Sequence, residues 1–155
     1  EIWLGKIPED HIWEVMAEKW HINPEMIKRI RREMVSKRHL NQPLIMLMTE
    51  LQKNYQTAIL SNAGDQTRAL MEETFHLDAV VDEIIISAEE GVIKPDHEIF
   101  QIAMARMQTT PELSLFLDDY EVNVLAARDF RMRAVHFISN EQAIPMIRQI
   151  IEEEN

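Results

Sequence analysis

The sequence predicts an α/β fold in which a parallel sheet is covered by helices. From position 56 onward, short apolar runs alternate with helical patterns of about ten residues, which is typical of βαβ units. The residues before position 40 show helical periodicity and no strand signal. We therefore expect a helical segment at residues 1–40 and an α/β core at residues 41–155.

Two helices are predicted in the first segment. One spans residues 7–20, where Asp10 can act as a cap and several apolar side chains share a broad face. The other spans residues 25–37 and starts after Asn23, a suitable cap ahead of Pro24. The second helix is basic on one side, which we interpret as a solvated face because the whole chain is acidic.

The core alternates strands and helices along the chain. Strands are predicted at 57–60, 83–87, 114–117 and 134–137. Helices are predicted from Pro43 through Leu51 and at 66–75, 98–107, 123–130 and 144–154.

Composition narrows the class of protein. The chain has 155 residues, of which 46% are hydrophobic, enough for one core. A net charge of −11 disfavours partners that are nucleic acids or anionic membranes. There is no cysteine and no apolar run of transmembrane length, so we expect a cytoplasmic protein without disulfides or a cysteine nucleophile. The six histidines show no ligand spacing, and no G-x-S-x-G elbow is present.

Polar side chains follow three of the predicted strands where each strand ends. Ser61 and Asn62 follow the first, Lys94 lies in the loop after the second, and Asp118 and Asp119 end the third. Carboxyl ends of parallel strands meet at one edge, where ligands of α/β folds bind. A hydroxyl, an amide and an ammonium suit a phosphate, together with the helix start after the first strand, and paired carboxylates suit Mg²⁺. Taken singly, each of these residues could instead be a turn residue, a cap or a surface charge.

Three stretches carry a family resemblance. AILSNAG at 58–64, GVIKPDHEIF at 91–100 and LFLDDYEVNVLAARDFRMRAVHF at 115–137 resemble, in this order, motifs of the haloacid dehalogenase-like hydrolases. The chain looks like the subgroup with a small helical cap, which includes sugar-phosphate phosphatases and the phosphatase-like domain of epoxide hydrolases. The resemblance covers nearly the whole chain, and its implied core is a Rossmann-like parallel sheet.

The resemblance implies a role for each residue of the proposed site. Ser61 would bond the phosphoryl group with Asn62 beside it, and Lys94 would stabilise its charge. One of Asp118 and Asp119 would bind Mg²⁺ directly, and the other would hold metal-bound water or Lys94. Asn123 matches a position that usually supports the acidic loop. Arg131 is a small departure from the pattern, which normally has glycine before Met132, and we expect a changed turn there with little effect on the chemistry.

One motif of the family has no counterpart here. The first core strand of these hydrolases ends in Asp-x-Asp, with the nucleophile and the general acid–base, and this sequence contains no such element. Asp78 and Asp82 precede the second strand and are poor substitutes. We therefore expect the printed chain to be inactive and N-terminally incomplete.

The absent strand would lie between the strands that end at Ser61 and Asp118. It could be supplied upstream, by a partner chain or second copy, or the two edges could close on each other. The functional prediction is a Mg²⁺-dependent phosphatase of small phosphate esters such as sugar phosphates. The alternatives are a non-catalytic scaffold or binding protein and, more weakly, a 2-haloacid dehalogenase.

Overall fold

The computed structural model describes residues 1–153, and these form a mixed α/β structure with parallel strands. The predicted fold class is confirmed. No helix in this range is long and apolar enough to cross a membrane.

Three α-helices precede the first strand: α1 (Glu9–Lys19), α2 (Pro24–Ser36) and α3 (Gln42–Leu51). Asn23 caps α2 as predicted, because its side chain accepts the Glu25 N–H. Asp10 does not cap α1, which starts after Pro8. The Asp10 carboxylate instead pairs with Arg31 of α2 at 2.6 Å, so α1 and α2 are joined through charge.

Arg31 also ties this helical segment to the core. Its guanidinium lies over the Trp13 ring, 5.6 Å from the centroid, and donates to the Gln66 side chain. The Glu9 N–H donates to Asp65 at 3.0 Å, a second link between α1 and the loop after the first strand. The basic side of α2 is therefore partly engaged in packing and is not solvated along its whole length.

The four strands form two separate parallel pairs. They are β1 (Ala58–Ser61), β2 (Glu83–Ile86), β3 (Leu115–Asp118) and β4 (Arg133–His136). β1 pairs with β2 and β3 with β4, and no ladder joins β1 to β3 among residues 1–153. The hypothesis that the facing edges of β1 and β3 pair with each other is therefore wrong.

The core helices follow the strands in the predicted order, with two local differences, one of which is that a short helix not predicted from the sequence begins at Ser87 directly after β2. They are α4 (Thr67–Ala69), α5 (Ser87–Glu90), α6 (His97–Arg106), α7 (Glu121–Asp129) and α8 (Asn140–Glu152). The single helix expected at 66–75 is a short α-turn followed by a π-helical turn at Leu70–Thr74. Ser139 caps α8, and residue 154 of its predicted span lies outside the described residues.

Arg68 holds this irregular segment against β2. Its guanidinium donates to Glu89, to Glu72 and to the Ile84 carbonyl. Hydrogen bonds with Glu89 and then Glu72 raise the pKa of Arg68 further above its ordinary value. The segment is thus fixed by contacts to β2 and α5, which the local sequence pattern does not reveal.

An apolar groove of about 500 Å³ separates β1 from β3. Its walls are the facing edges of the two strands, and side chains from α3, α6 and α8 line it, among them Leu47, Phe100 and Ile147. Both faces of the groove are apolar, as they would be around a central strand of a parallel sheet.

Backbone groups of both walls are directed into the groove. The Thr57 carbonyl accepts N–H groups at the start of β2, and the Ser114 carbonyl accepts the Arg133 N–H of β4. Successive residues of a parallel strand direct their backbone groups to opposite edges. Ala58 and Leu60 therefore present theirs to the groove from one side, and the alternate residues of β3 do so from the other.

Candidate functional site

Lys94 spans the end of the groove where β1 and β3 terminate. Its Nζ donates to the Leu60 carbonyl and to Asp118 Oδ2, each at 2.7 Å. The ammonium also lies 5.5 Å from the centroid of the Phe116 ring. Only 9% of the Lys94 side chain and 5% of the Asp118 side chain are exposed, so a buried ion pair joins the two halves of the sheet.

Both carboxylate oxygens of Asp118 accept hydrogen bonds from the protein. Besides Lys94, its carboxylate accepts the Tyr120 N–H at 2.8 Å and the Asn123 side-chain amide at 3.0 Å. Asn123 lies on the first turn of α7 and is only 5% exposed. Asp118 therefore holds Lys94 and the start of the loop that follows β3. Asp119, the next residue, is exposed.

Asn62 is bound to the backbone of Lys94 in both directions. Its Oδ1 accepts the Lys94 N–H at 2.8 Å, and its Nδ2 donates to the Lys94 carbonyl at 2.8 Å. These bonds cross 32 positions of sequence and connect the loop after β1 to the loop after β2.

Ser61 and Asp119 differ from the other predicted site residues. In residues 1–153 the Ser61 hydroxyl and the Asp119 carboxylate have no hydrogen-bonding or ionic partner in the protein. Ser61 is partly buried at the end of β1, and Asp119 is exposed after β3. The six predicted residues thus divide into four that bond to one another and two that are free to contact a ligand.

Two polar residues near this edge had no role in the sequence prediction. Ser87, fully buried after β2, accepts the Ala63 N–H at 3.0 Å and donates to the Ala63 carbonyl. His136, at the end of β4, lies 3.0 Å from the Asp119 carbonyl. His97 lies 3.2 Å from Asp129. The sequence offered one indication of a role for Ser87, namely that this polar residue follows an apolar strand.

Asp82 lies at the opposite end of the strands. Its carboxylate accepts the N–H and hydroxyl of Thr57 and a bond from Gln52, and the Thr57 backbone bond is the main cause that lowers the pKa of Asp82. Because Thr57 precedes β1, Asp82 cannot reach the edge that carries Ser61 and Asp118. It fastens the start of β1 to the start of β2.

Among residues 1–153 no group of three or more His, Asp or Glu side chains is arranged to hold a metal ion. Asp119 is the free carboxylate of the candidate site. This donor set fits Mg²⁺ only if further oxygens come from phosphate, from water or from carboxylates outside the described residues, which is how that ion is usually bound.

The fold and the edge described above place the chain in a class of α/β proteins whose site lies at the carboxyl ends of parallel strands. A family model described as Haloacid dehalogenase-like hydrolase matches residues 4–137. The chain belongs to this family.

The chain is also similar to parts of two longer proteins. Bifunctional epoxide hydrolase 2 of Mus musculus is 26% identical over 129 residues, covering 80% of this chain and 23% of that protein. Sesquiterpene phosphatase astK of Aspergillus oryzae is 31% identical over 70 residues, covering 45% of this chain and 36% of that protein. The chain therefore spans about a quarter to a third of these relatives.

A solved structure shares the fold. A HAD family enzyme from Bacteroides thetaiotaomicron matches with a TM-score of 0.81 and 20% identity, covering 94% of this chain and 75% of that one. A mutant of the same enzyme, in complex with magnesium and inorganic phosphate, matches with a TM-score of 0.75 and 20% identity, covering 87% and 72%. At this identity the likeness establishes the fold.

Proposed function

We propose that this chain is the cap and most of the core of a Mg²⁺-dependent phosphatase that acts on small phosphorylated metabolites in the cytoplasm. The observation that carries the proposal is the placement of Lys94, a nearly buried cation fixed between the ends of β1 and β3. Free Ser61 and Asp119 groups lie at these same strand ends. A cation, a hydroxyl and a carboxylate at one edge can bind a phosphoryl group and a metal ion and stabilise the charge that develops during phosphoryl transfer.

Each group has a distinct task in this proposal. The Ser61 hydroxyl donates to a phosphoryl oxygen, and Lys94 offsets the negative charge of the phosphoryl group. Asp118 keeps Lys94 in place through its 2.7 Å contact, and Asn123 keeps Asp118 in place. Asp119 would hold Mg²⁺, which when bound neutralises charge on the phosphoryl oxygens. The magnesium complex of the structural relative supports this choice of ion.

We further propose that the groove between β1 and β3 accepts an extended strand that ends in carboxylates. The strand would run parallel to both walls, exchange hydrogen bonds with Ala58 and Leu60 on one side and with β3 on the other, and place apolar side chains on both faces. By family resemblance it would carry Asp-x-Asp at its carboxyl end, beside Lys94. It belongs to the same polypeptide or to another chain, including a second copy.

The test compares the printed chain with a chain extended at its N-terminus by an apolar strand ending in Asp-x-Asp. With Mg²⁺ and p-nitrophenyl phosphate, the extended chain should release phosphate and the printed chain should not. Lys94→Met in the extended chain should lower the rate on the order of 100-fold, whereas Lys53→Met, at an exposed position outside the groove, should leave it unchanged.

Two results would count against the proposal. A folded extended chain that releases no phosphate with any small phosphate ester would refute the phosphatase function. Phosphate release by the printed chain alone would show that the nucleophile lies among the printed residues.

A non-catalytic binding protein is the second candidate, and the groove favours it. Its walls are strand edges and apolar side chains, so it suits an extended apolar peptide regardless of any chemistry. Tight binding of an apolar strand peptide that lacks carboxylates, with no turnover after Asp-x-Asp is added, would support this function over the phosphatase.

A further inference from the structure

We propose that Asn62 is a positioning residue for Lys94. Its carbonyl oxygen and its amide nitrogen are both bonded to the Lys94 backbone, each at 2.8 Å. A side-chain amide has one oxygen acceptor and two N–H donors, and here the oxygen and one N–H hold the Lys94 backbone. The neighbouring Ser61 hydroxyl has no such bond and is free to contact a phosphate.

The two hydrogen bonds from the Asn62 side chain fix the position of the Lys94 backbone, from which the Lys94 side chain extends. The Lys94 N–H and C=O belong to the two peptide groups on either side of its Cα, so each of these groups is held by one hydrogen bond. The side chain then crosses to Leu60 and Asp118, so that its ammonium is placed before any ligand arrives. Preorganised charge of this kind is effective because it needs no rearrangement when the reacting group binds.

This inference deepens the proposed function, since a fixed Lys94 matters most if the edge holds a phosphoryl group. Its test, however, does not need activity. The Lys94 side chain is 9% exposed, whereas the Lys28 side chain is 67% exposed. Brief labelling of the native protein with an amine-acylating reagent, followed by peptide mass spectrometry, measures how well Lys94 is held, with Lys28 as the internal reference.

Asn62→Ala should increase the labelling of Lys94 relative to Lys28 on the order of tenfold, because it removes both hydrogen bonds between the residue-62 side chain and the Lys94 backbone. Asn41→Ala is the matched control. Asn41 also joins distant segments, donating to Asn140 at 2.9 Å and accepting from Leu44, but it does not contact Lys94. This variant should leave the Lys94 labelling ratio as in the unaltered chain.

Asn62→Asp is the second variant, and it keeps the shape of the side chain and the acceptor for the Lys94 N–H. It loses the donor to the Lys94 carbonyl and should give a smaller increase. An unchanged Lys94 ratio in a folded Asn62→Ala or Asn62→Asp protein would overturn the inference, and so would an equal increase in Asn41→Ala.

Inorganic phosphate with Mg²⁺ separates this inference from the function on which it rests. Protection of Lys94 by phosphate in the chain extended by the groove strand supports the phosphatase proposal. If phosphate leaves the labelling of Lys94 unchanged while Asn62→Ala still increases it, the positioning role stands and the phosphatase proposal fails.

Discussion

Lys94 Nζ lies 2.7 Å from Asp118 Oδ2, and the two residues belong to different halves of the divided sheet. Lys94 follows β2, whereas Asp118 ends β3. Since no ladder joins the halves in residues 1–153, this ion pair is a direct polar link across the end of the groove.

Asp118→Asn tests the ion pair. The substitution keeps the shape of the side chain but leaves the buried Lys94 ammonium without a counter-charge. We expect the free energy of unfolding to fall by about 3 kcal/mol, measured by urea denaturation at pH 7.

The control for this prediction is Glu50→Gln. Glu50 pairs with Arg148 at the same 2.7 Å, but the two side chains are 53% and 47% exposed. Water screens such a pair, so stability should hardly change. Similar losses in the two variants would contradict a special role for the Lys94–Asp118 pair.

Ser87→Ala tests the buried hydroxyl after β2. Ser87 is fully buried, and its removal leaves the N–H of Ala63 without its acceptor. The variant should lose about 1–3 kcal/mol of unfolding free energy. Ser36→Ala, at an exposed serine that bonds only the carbonyl of its own helix, should lose far less. Equal thermal stability of both variants would show that the bond to Ala63 is dispensable.

Arg131→Gly should stabilise the protein. Arg131 has a φ of 69°, the left-handed conformation that costs a non-glycine residue energy, so the turn keeps a glycine-like shape with an arginine in it. After allowance for the entropy of glycine in the unfolded chain, we expect a gain of about 0.5–1 kcal/mol. Arg29→Gly, inside α2, should have the opposite sign. A destabilised Arg131→Gly would mean that the arginine side chain contributes more than its backbone costs.

Acid should weaken the anchor between Asp82 and Thr57. The pKa of Asp82 is lowered in the folded state, so its contribution is present above the unfolded value near 3.9 and is lost as the pH falls through the folded pKa. Asp82→Asn cannot titrate, so its stability should decline less between pH 5 and about pH 2. Urea midpoints of the two proteins across this range measure the difference, and parallel curves would contradict it.

Much of the fold follows from local sequence pattern. Four apolar runs alternate with helices, and each became a strand within one residue of its predicted bounds, because burial on both faces of a parallel sheet requires continuous apolar residues. The segment at 66–75 was predicted less well. Its π-helical turn depends on Arg68 contacts to β2, which no local pattern encodes.

The candidate site shows a similar division. The positions of Ser61 and Asp118 at strand ends and of Lys94 in the loop after β2 could be predicted, since chain order in a βαβ fold sends these segments to one edge. Which groups bond to each other could not, because Asn62 and Lys94 are 32 positions apart and meet only when two loops fold together.

The sequence by itself determined the fold class, the order of the elements and the edge at which the polar residues gather, since these follow from hydrophobic periodicity and chain direction. Only the tertiary structure showed that Asn62 and Asp118 bond to Lys94 and that Asn123 bonds to Asp118. The side chains of Ser61 and Asp119 remain free. The physical reason is that a hydrogen bond needs two groups within about 3 Å of each other. Packing of distant segments, and not their sequence spacing, sets that distance.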